Sequence, residues 1–184
     1  MRVIIIIILF FFQSFANASS KNNIINNFRN INNLQFLFSQ KINKKIENGK
    51  CIIAYPKKIY CKYNNFYNKI LVSNGKSLVI NSDKNKQYIK YKLEKTPLNL
   101  ILDKDFIIKK IKESNIEKEL DNSHTFEFHY KDSSIILFFD KYEFNLMGWT
   151  TTDIYQNKVE TKITNIKTNI NFDENIFKIR NYTN

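Results

Sequence analysis

Lys69-Ile70-Leu71-Val72-Ser73-Asn74-Gly75-Lys76-Ser77-Leu78-Val79-Ile80 reads as two short strands joined at Asn74-Gly75. An Asn-Gly pair between apolar, β-branched runs is the strongest short hairpin signal, because a type I′ turn needs positive φ at both central positions. With a two-residue turn, Leu71 faces Leu78 and both share a side with Ile80. Antiparallel β structure is therefore the framework.

Upstream, Lys50-Cys51-Ile52-Ile53-Ala54-Tyr55 and Ile59-Tyr60-Cys61-Lys62-Tyr63 flank Pro56-Lys57-Lys58, a second hairpin with its proline in the turn. Before it, Leu34, Phe36 and Phe38 alternate along a further strand closed by Gln40. Ahead of that strand, Ile24, Phe28, Ile31 and Leu34 fall on one face of a helix that opens the domain. Downstream, a strand at 87–93 is followed by Thr96-Pro97-Leu98, where Thr96 is placed to cap a short apolar helix with Pro97 at its first position. In residues 105–119, Phe106, Ile107, Ile108 and Ile111 suit a helix face or a strand leading into a charged loop, and the segment is read as a helix. Strands follow at 124–130, 134–140, 144–153, 158–166 and 176–179. The expected fold is mainly β with α: one large curved antiparallel sheet of about ten strands, with helices covering its concave face.

The first residues set the compartment. Met1-Arg2, the apolar run Val3 to Phe12 and the small residues Ala16-Asn17-Ala18 have the layout of a cleavable secretory signal, and the run is far shorter than the roughly twenty residues that span a membrane. Residues 1–18 are thus expected to be removed, and about 165 residues remain as one exported domain (19–184). No cysteine follows the apolar run to accept a lipid anchor. The formal charge of +12 becomes +11 when Arg2 leaves with the signal, which favours acidic partners, anionic headgroups or an acidic protein face. The lysines are spread along the chain rather than blocked together, and this argues against nucleic acid.

No catalytic constellation stands out. His124 and His129 are the two histidines, and they point to opposite faces of one strand, so no metal site is expected. There is no Gly-rich phosphate loop, nucleophile elbow or cofactor motif, and Glu113, Glu117 and Glu119 read as a solvated face. Cys51 and Cys61 lie equidistant from Pro56 on facing strands. A cross-strand disulfide and a pair of small buried residues are both open readings. The inward set Leu34, Phe36, Phe38, Ile53, Ile59, Tyr63, Leu71, Leu78 and Ile80 either fills a core or lines a cavity for an apolar ligand, and composition does not choose.

The order of these motifs resembles the LolA family of periplasmic outer-membrane lipoprotein carriers. The resemblance runs over Leu34-x-Phe36-x-Phe38-x-Gln40, Tyr55-Pro56-Lys57-Lys58-Ile59, Val72-Ser73-Asn74-Gly75-Lys76, Thr96-Pro97-Leu98, Leu146-x-x-Trp149-x-x-x-Asp153, Thr161-x-Ile163-x-Asn165 and Asn175-Ile176-Phe177. It implies an open, unclosed antiparallel β-barrel of about ten to eleven strands, and within it a cavity that screens the acyl chains of lipoproteins, under a lid to which Tyr55, Pro97, Leu98 and Ile101 would contribute. It also implies delivery from an inner-membrane lipoprotein-releasing ABC transporter, itself the nucleotide binder, to an outer-membrane acceptor by a monomeric periplasmic protein that is not an enzyme. The family's latch arginine before the turn proline is Tyr55 here, which has one hydrogen bond to donate to a helix carbonyl. The alternative on the same fold is an envelope sensor or structural protein that binds a lipoprotein or partner without transporting it.

Overall fold

A computed structural model describes residues 20–65, 67–83, 87–114, 118–120, 122–130, 133–153 and 155–183. The expected signal, residues 1–18, lies outside the described residues, as does Glu117. The first described element is helix α1 (20–29), whose apolar face of Ile24, Ile25 and Phe28 is buried. Eleven antiparallel strands follow: β1 (Asn33–Ile42), β2 (Lys45–Ala54), β3 (Lys58–Tyr63), β4 (Ile70–Asn74), β5 (Ser77–Ser82), β6 (Gln87–Lys92), β7 (Lys118–Leu120), β8 (Ser123–Tyr130), β9 (Ser133–Asp140), β10 (Leu146–Thr152) and β11 (Lys158–Thr168). They form one sheet in the order β6-β5-β4-β3-β2-β1-β11-β10-β9-β8-β7. Among the described residues β6 and β7 are its unpaired edges, so the barrel is open. The chain crosses between these edges through a 3-10 turn (Leu93–Lys95), helix α2 (Leu98–Ile101) and helix α3 (Lys104–Glu113).

Side-chain alternation divides the sheet into two faces. The inward face carries Leu34, Phe36, Phe126, Leu137, Phe139 and Trp149, which share one core with Ile24 and Phe28 of α1, Ile101 of α2 and Ile107 and Ile111 of α3. Phe28 meets Phe139 edge to face at 6.1 Å, and Phe106 meets Phe128 at 5.8 Å. Asp103 caps α3 by accepting from the Phe106 amide at 3.0 Å. At its other end, Lys21 Nζ donates to the carbonyls of Lys112 (2.7 Å) and Ser114 (2.5 Å), where a cation suits the helix dipole.

Several local expectations are corrected. The Asn74-Gly75 hairpin pairs Ser73 with Leu78 and Leu71 with Ile80, a register two residues longer than a type I′ turn gives. Of the two residues only Gly75 has positive φ (+95°), because the Asn74 side chain closes the turn instead, accepting from the amides of Lys76 and Ser77 at 3.0 Å each. Leu71, Leu78 and Ile80 still share the inward face. Leu34 belongs to β1, not to the opening helix. Thr96 does not cap α2; its hydroxyl donates back to the Leu93 carbonyl at 2.8 Å. The helix expected over 105–119 ends at Glu113, and 118–120 form β7. The strand expected at 144–153 spans Leu146–Thr152. Residues 176–179 are not a strand: Asp173 caps a 3-10 turn (Glu174–Phe177), and a second follows (Ile179–Tyr182). These turns cover the outward face of β3 to β5, where Tyr182 packs on Tyr60 and Val72 and Val79 are fully buried.

Candidate functional site

The core does not fill the whole concavity. Between the inward faces of β1, β3, β4, β5, β10 and β11 and the underside of α2 lies a cavity of about 270 Å³. Phe36, Phe38, Ile59, Tyr63, Leu71, Leu78 and Ile80 line it, and Pro97, Leu98 and Ile101 roof it. Leu34 and Ile53, placed with these by alternation, do not line it; they are fully buried in the filled part of the core. Sequence reasoning missed the contributions of Ile42, Tyr91, Trp149 and Val159. The last three lie on strands correctly read, but which end of a strand faces empty space depends on where the helices stop.

Gly49 shapes the wall. It lies opposite Phe38 on one side and Tyr63 on the other, and a β-carbon there would stand 2.6 Å from the Phe38 ring. Its absence lets Phe38 lie across the strand and meet Tyr63 edge to face at 5.0 Å. An isolated glycine within a strand pattern was the available signal. Cys51 and Cys61, directly opposite in the β2–β3 ladder with Cα atoms 4.1 Å apart, are joined by a disulfide, and both residues line the cavity.

One margin of the cavity is polar. Glu47, inward on β2 and only 7% exposed, is paired with Lys69 at 2.7 Å and Lys45 at 2.8 Å. Burial pushes its carboxyl pKa up, but hydrogen bonds and charge from both lysines outweigh that and hold it below the usual range. Lys69 also sits 4.0 Å over the Tyr63 ring. Burial, with Glu47 beside it, raises the Tyr63 phenol so that it stays neutral.

The roof is fastened without Tyr55. That hydroxyl is buried with no hydrogen-bond partner among the described residues, and burial raises its pKa; its ring packs edge to face on Phe28 at 5.7 Å. The expected bond to a helix carbonyl is absent because the side chain turns into the aromatic core. The fastening comes from Lys57 in the same turn, at φ +67°. Its amide donates to the Leu102 carbonyl at 2.8 Å, and its ammonium pairs with Asp103 at 3.3 Å. Lys104 adds bonds to the carbonyls of Arg29 (3.0 Å) and Ile31 (2.9 Å), tying α3 to the end of α1.

An open eleven-strand sheet roofed by helices over an apolar cavity agrees with the sequence comparison: the family model for outer membrane lipoprotein carrier protein LolA matches residues 29–180. The chain belongs to the LolA family. A comparison of its sequence with curated proteins finds no match. Similar solved structures include a LolA-superfamily protein of Nitrosomonas europaea (8% identity, 79% of this chain and 88% of that one, TM-score 0.39). LprF of Mycobacterium bovis is another (10%, 85% and 97%, 0.46), as is the MucA/MucB complex of Pseudomonas aeruginosa (9%, 88% and 60%, 0.45). Among the described residues of this LolA-family chain, no cluster of His, Cys, Asp and Glu is placed to hold a metal, and no helix is long and apolar enough to cross a membrane. His124 is buried and stacks on Phe144 at 6.0 Å, whereas His129 is exposed beside Glu127.

Proposed function

We propose that this chain is a periplasmic carrier that takes the acyl chains of lipoproteins into the cavity under α2. Acylated lipoproteins would be received from an inner-membrane lipoprotein-releasing ABC transporter and passed to an outer-membrane acceptor. The observation that carries the reading is the cavity, walled by aromatic and aliphatic side chains and roofed by a helix fastened through few bonds. Its volume of about 270 Å³ is near the lower limit of ligand pockets, roughly 300–1,000 Å³. Several acyl chains therefore require the roof to lift.

The fastening is of a size that a lipid can work against. One backbone hydrogen bond contributes about 1 kcal/mol, the part-exposed Lys57–Asp103 pair about 0.5–1 kcal/mol, and the Lys104 bonds bring the total to on the order of 4 kcal/mol. Burial of about five methylenes at ~0.8 kcal/mol each offsets this. Acyl chains are longer, so loading is favourable, while the cost of lifting the roof moderates affinity and permits release.

Native mass spectrometry of the protein with a triacylated lipopeptide and with its deacylated counterpart tests the reading. A one-to-one complex with the acylated form alone is expected. Absence of a complex with either would refute acyl binding, and a complex with both would shift weight to a sensor that recognises the peptide.

A further inference from the structure

The convex face is covered only in part. The C-terminal 3-10 turns lie over Lys58, Tyr60, Val72 and Val79 but leave the outward side of β11, β1, β2 and the Lys62 end of β3 open. From these four strands Lys162, Lys41, Lys50 and Lys62 project outward, and all are exposed. Lys50 stands directly opposite Lys62 in the ladder. Because the adjacent Cys51–Cys61 pair is a close one (4.1 Å between Cα atoms), Lys50 and Lys62 form the wider hydrogen-bonded kind of pair, with Cα atoms roughly 5.5 Å apart. Like charges so placed disfavour the sheet. Glu160 is the one acid at an outward position of these four strands among the described residues; it pairs with Lys158 at 2.5 Å and also stands opposite Lys41 and beside Lys162, so one negative charge sits among the four lysines. Two large apolar side chains sit among the lysines: Leu37, 41% exposed and paired with Lys50, and Ile46, 61% exposed and paired with Lys41.

We propose that this convex patch docks on an anionic lipid bilayer. Protein interfaces are enriched in arginine and depleted in lysine; this patch has four lysines and no arginine. A lysine is a compact charge on a long apolar stem, suited to a fluid headgroup layer rather than to a fixed carboxylate. With the ammonium groups among headgroups, Leu37 and Ile46 reach the upper acyl region, the arrangement of surface-bound proteins. The docked protein keeps its cavity on the side away from the bilayer, so docking is independent of whether the cavity is loaded.

Sedimentation of the unloaded protein with vesicles of phosphatidylglycerol and phosphatidylcholine, against phosphatidylcholine alone, in about 0.1 M salt, tests the proposal. Binding to the anionic vesicles only is expected. Each lysine at such a surface changes partitioning about five-fold, so K50Q/K62Q lowers it about 30-fold. K109Q/K112Q removes the same charge from exposed positions on α3 and lowers it less than about three-fold. Thermal stability of K50Q/K62Q equal to or above that of the native protein shows that the sheet is intact. Failure to bind anionic vesicles, or equal losses in the two double variants, would overturn the proposal; the first result would point to an acidic protein as the occupant.

Discussion

Replacing Lys57 with Gln should loosen the roof by a calculable and salt-sensitive amount. The ammonium lies 3.3 Å from Asp103 Oδ2, and both side chains are about one-third exposed (34% and 30%), so the pair contributes about 0.5–1 kcal/mol. Loss of that energy raises the open population about two- to five-fold. Lys57 is the better partner to remove, because Asp103 also caps α3, and its loss would add about 1 kcal/mol of helix destabilisation unrelated to the latch. The backbone bond from residue 57 to Leu102 survives the substitution. Hydrogen exchange of the amides of Leu102, Ile107 and Ile108 reports the opening: two- to five-fold faster exchange there, with β1, β2 and β11 unchanged, is expected. At about 1 M salt, where screening shortens to about 3 Å, the difference between native protein and variant should shrink toward nothing. Unchanged exchange across α2 and α3, or acceleration spread evenly over the sheet, would refute the latch.

Leu71→Asp places an unpaired carboxylate in the half-buried cavity wall, and should abolish the lipopeptide complex in native mass spectrometry while the sheet's circular dichroism persists. Phe38→Asp should abolish it too, but with a lower melting temperature, since the Phe38 ring is buried against Tyr63. Reduction of the Cys51–Cys61 disulfide frees a loop of sequence separation 10 and should cost about 2.7 kcal/mol, a fall in Tm of roughly 5–10 °C by calorimetry. Glu47 has a depressed pKa when folded, so its contribution is present above the unfolded value of roughly 4.3 and is lost as pH falls through the folded one; urea titrations should show acid destabilisation that Glu47→Gln removes.

What was legible in the sequence follows the range of the interactions involved. The β2–β3 hairpin, its cysteine register and the inward set on β1 and β3 to β5 came from alternation and turn residues separated by a few positions. The same signals misjudged the hairpin at Asn74, because a side-chain acceptor competes with the backbone there and composition is identical for both turns. Ile176-Phe177 read as strand because two adjacent apolar residues suit one; the surface they cover belongs to β3–β5, a hundred residues earlier. The cavity required knowing where α2 ends over the sheet. The role of Lys57 is not legible in the sequence because its partners, Leu102 and Asp103, lie far along the chain, while Tyr55 two positions earlier is turned inward.

The roof is also the crossing between the two free edges of the sheet, and this constrains how anything can get in. A flap hinged at one side swings clear and exposes its pocket from above. Here the segment is pinned at both ends, to β6 before it and β7 after it, so it behaves as an arch with two abutments. Raising the arch draws on the separation of those edges, and the curvature of the sheet and the height of the roof become one mechanical variable. For the proposed carrier, a long, thin guest threaded lengthwise beneath the span would need little lift, whereas a bulky head would be stopped at the opening.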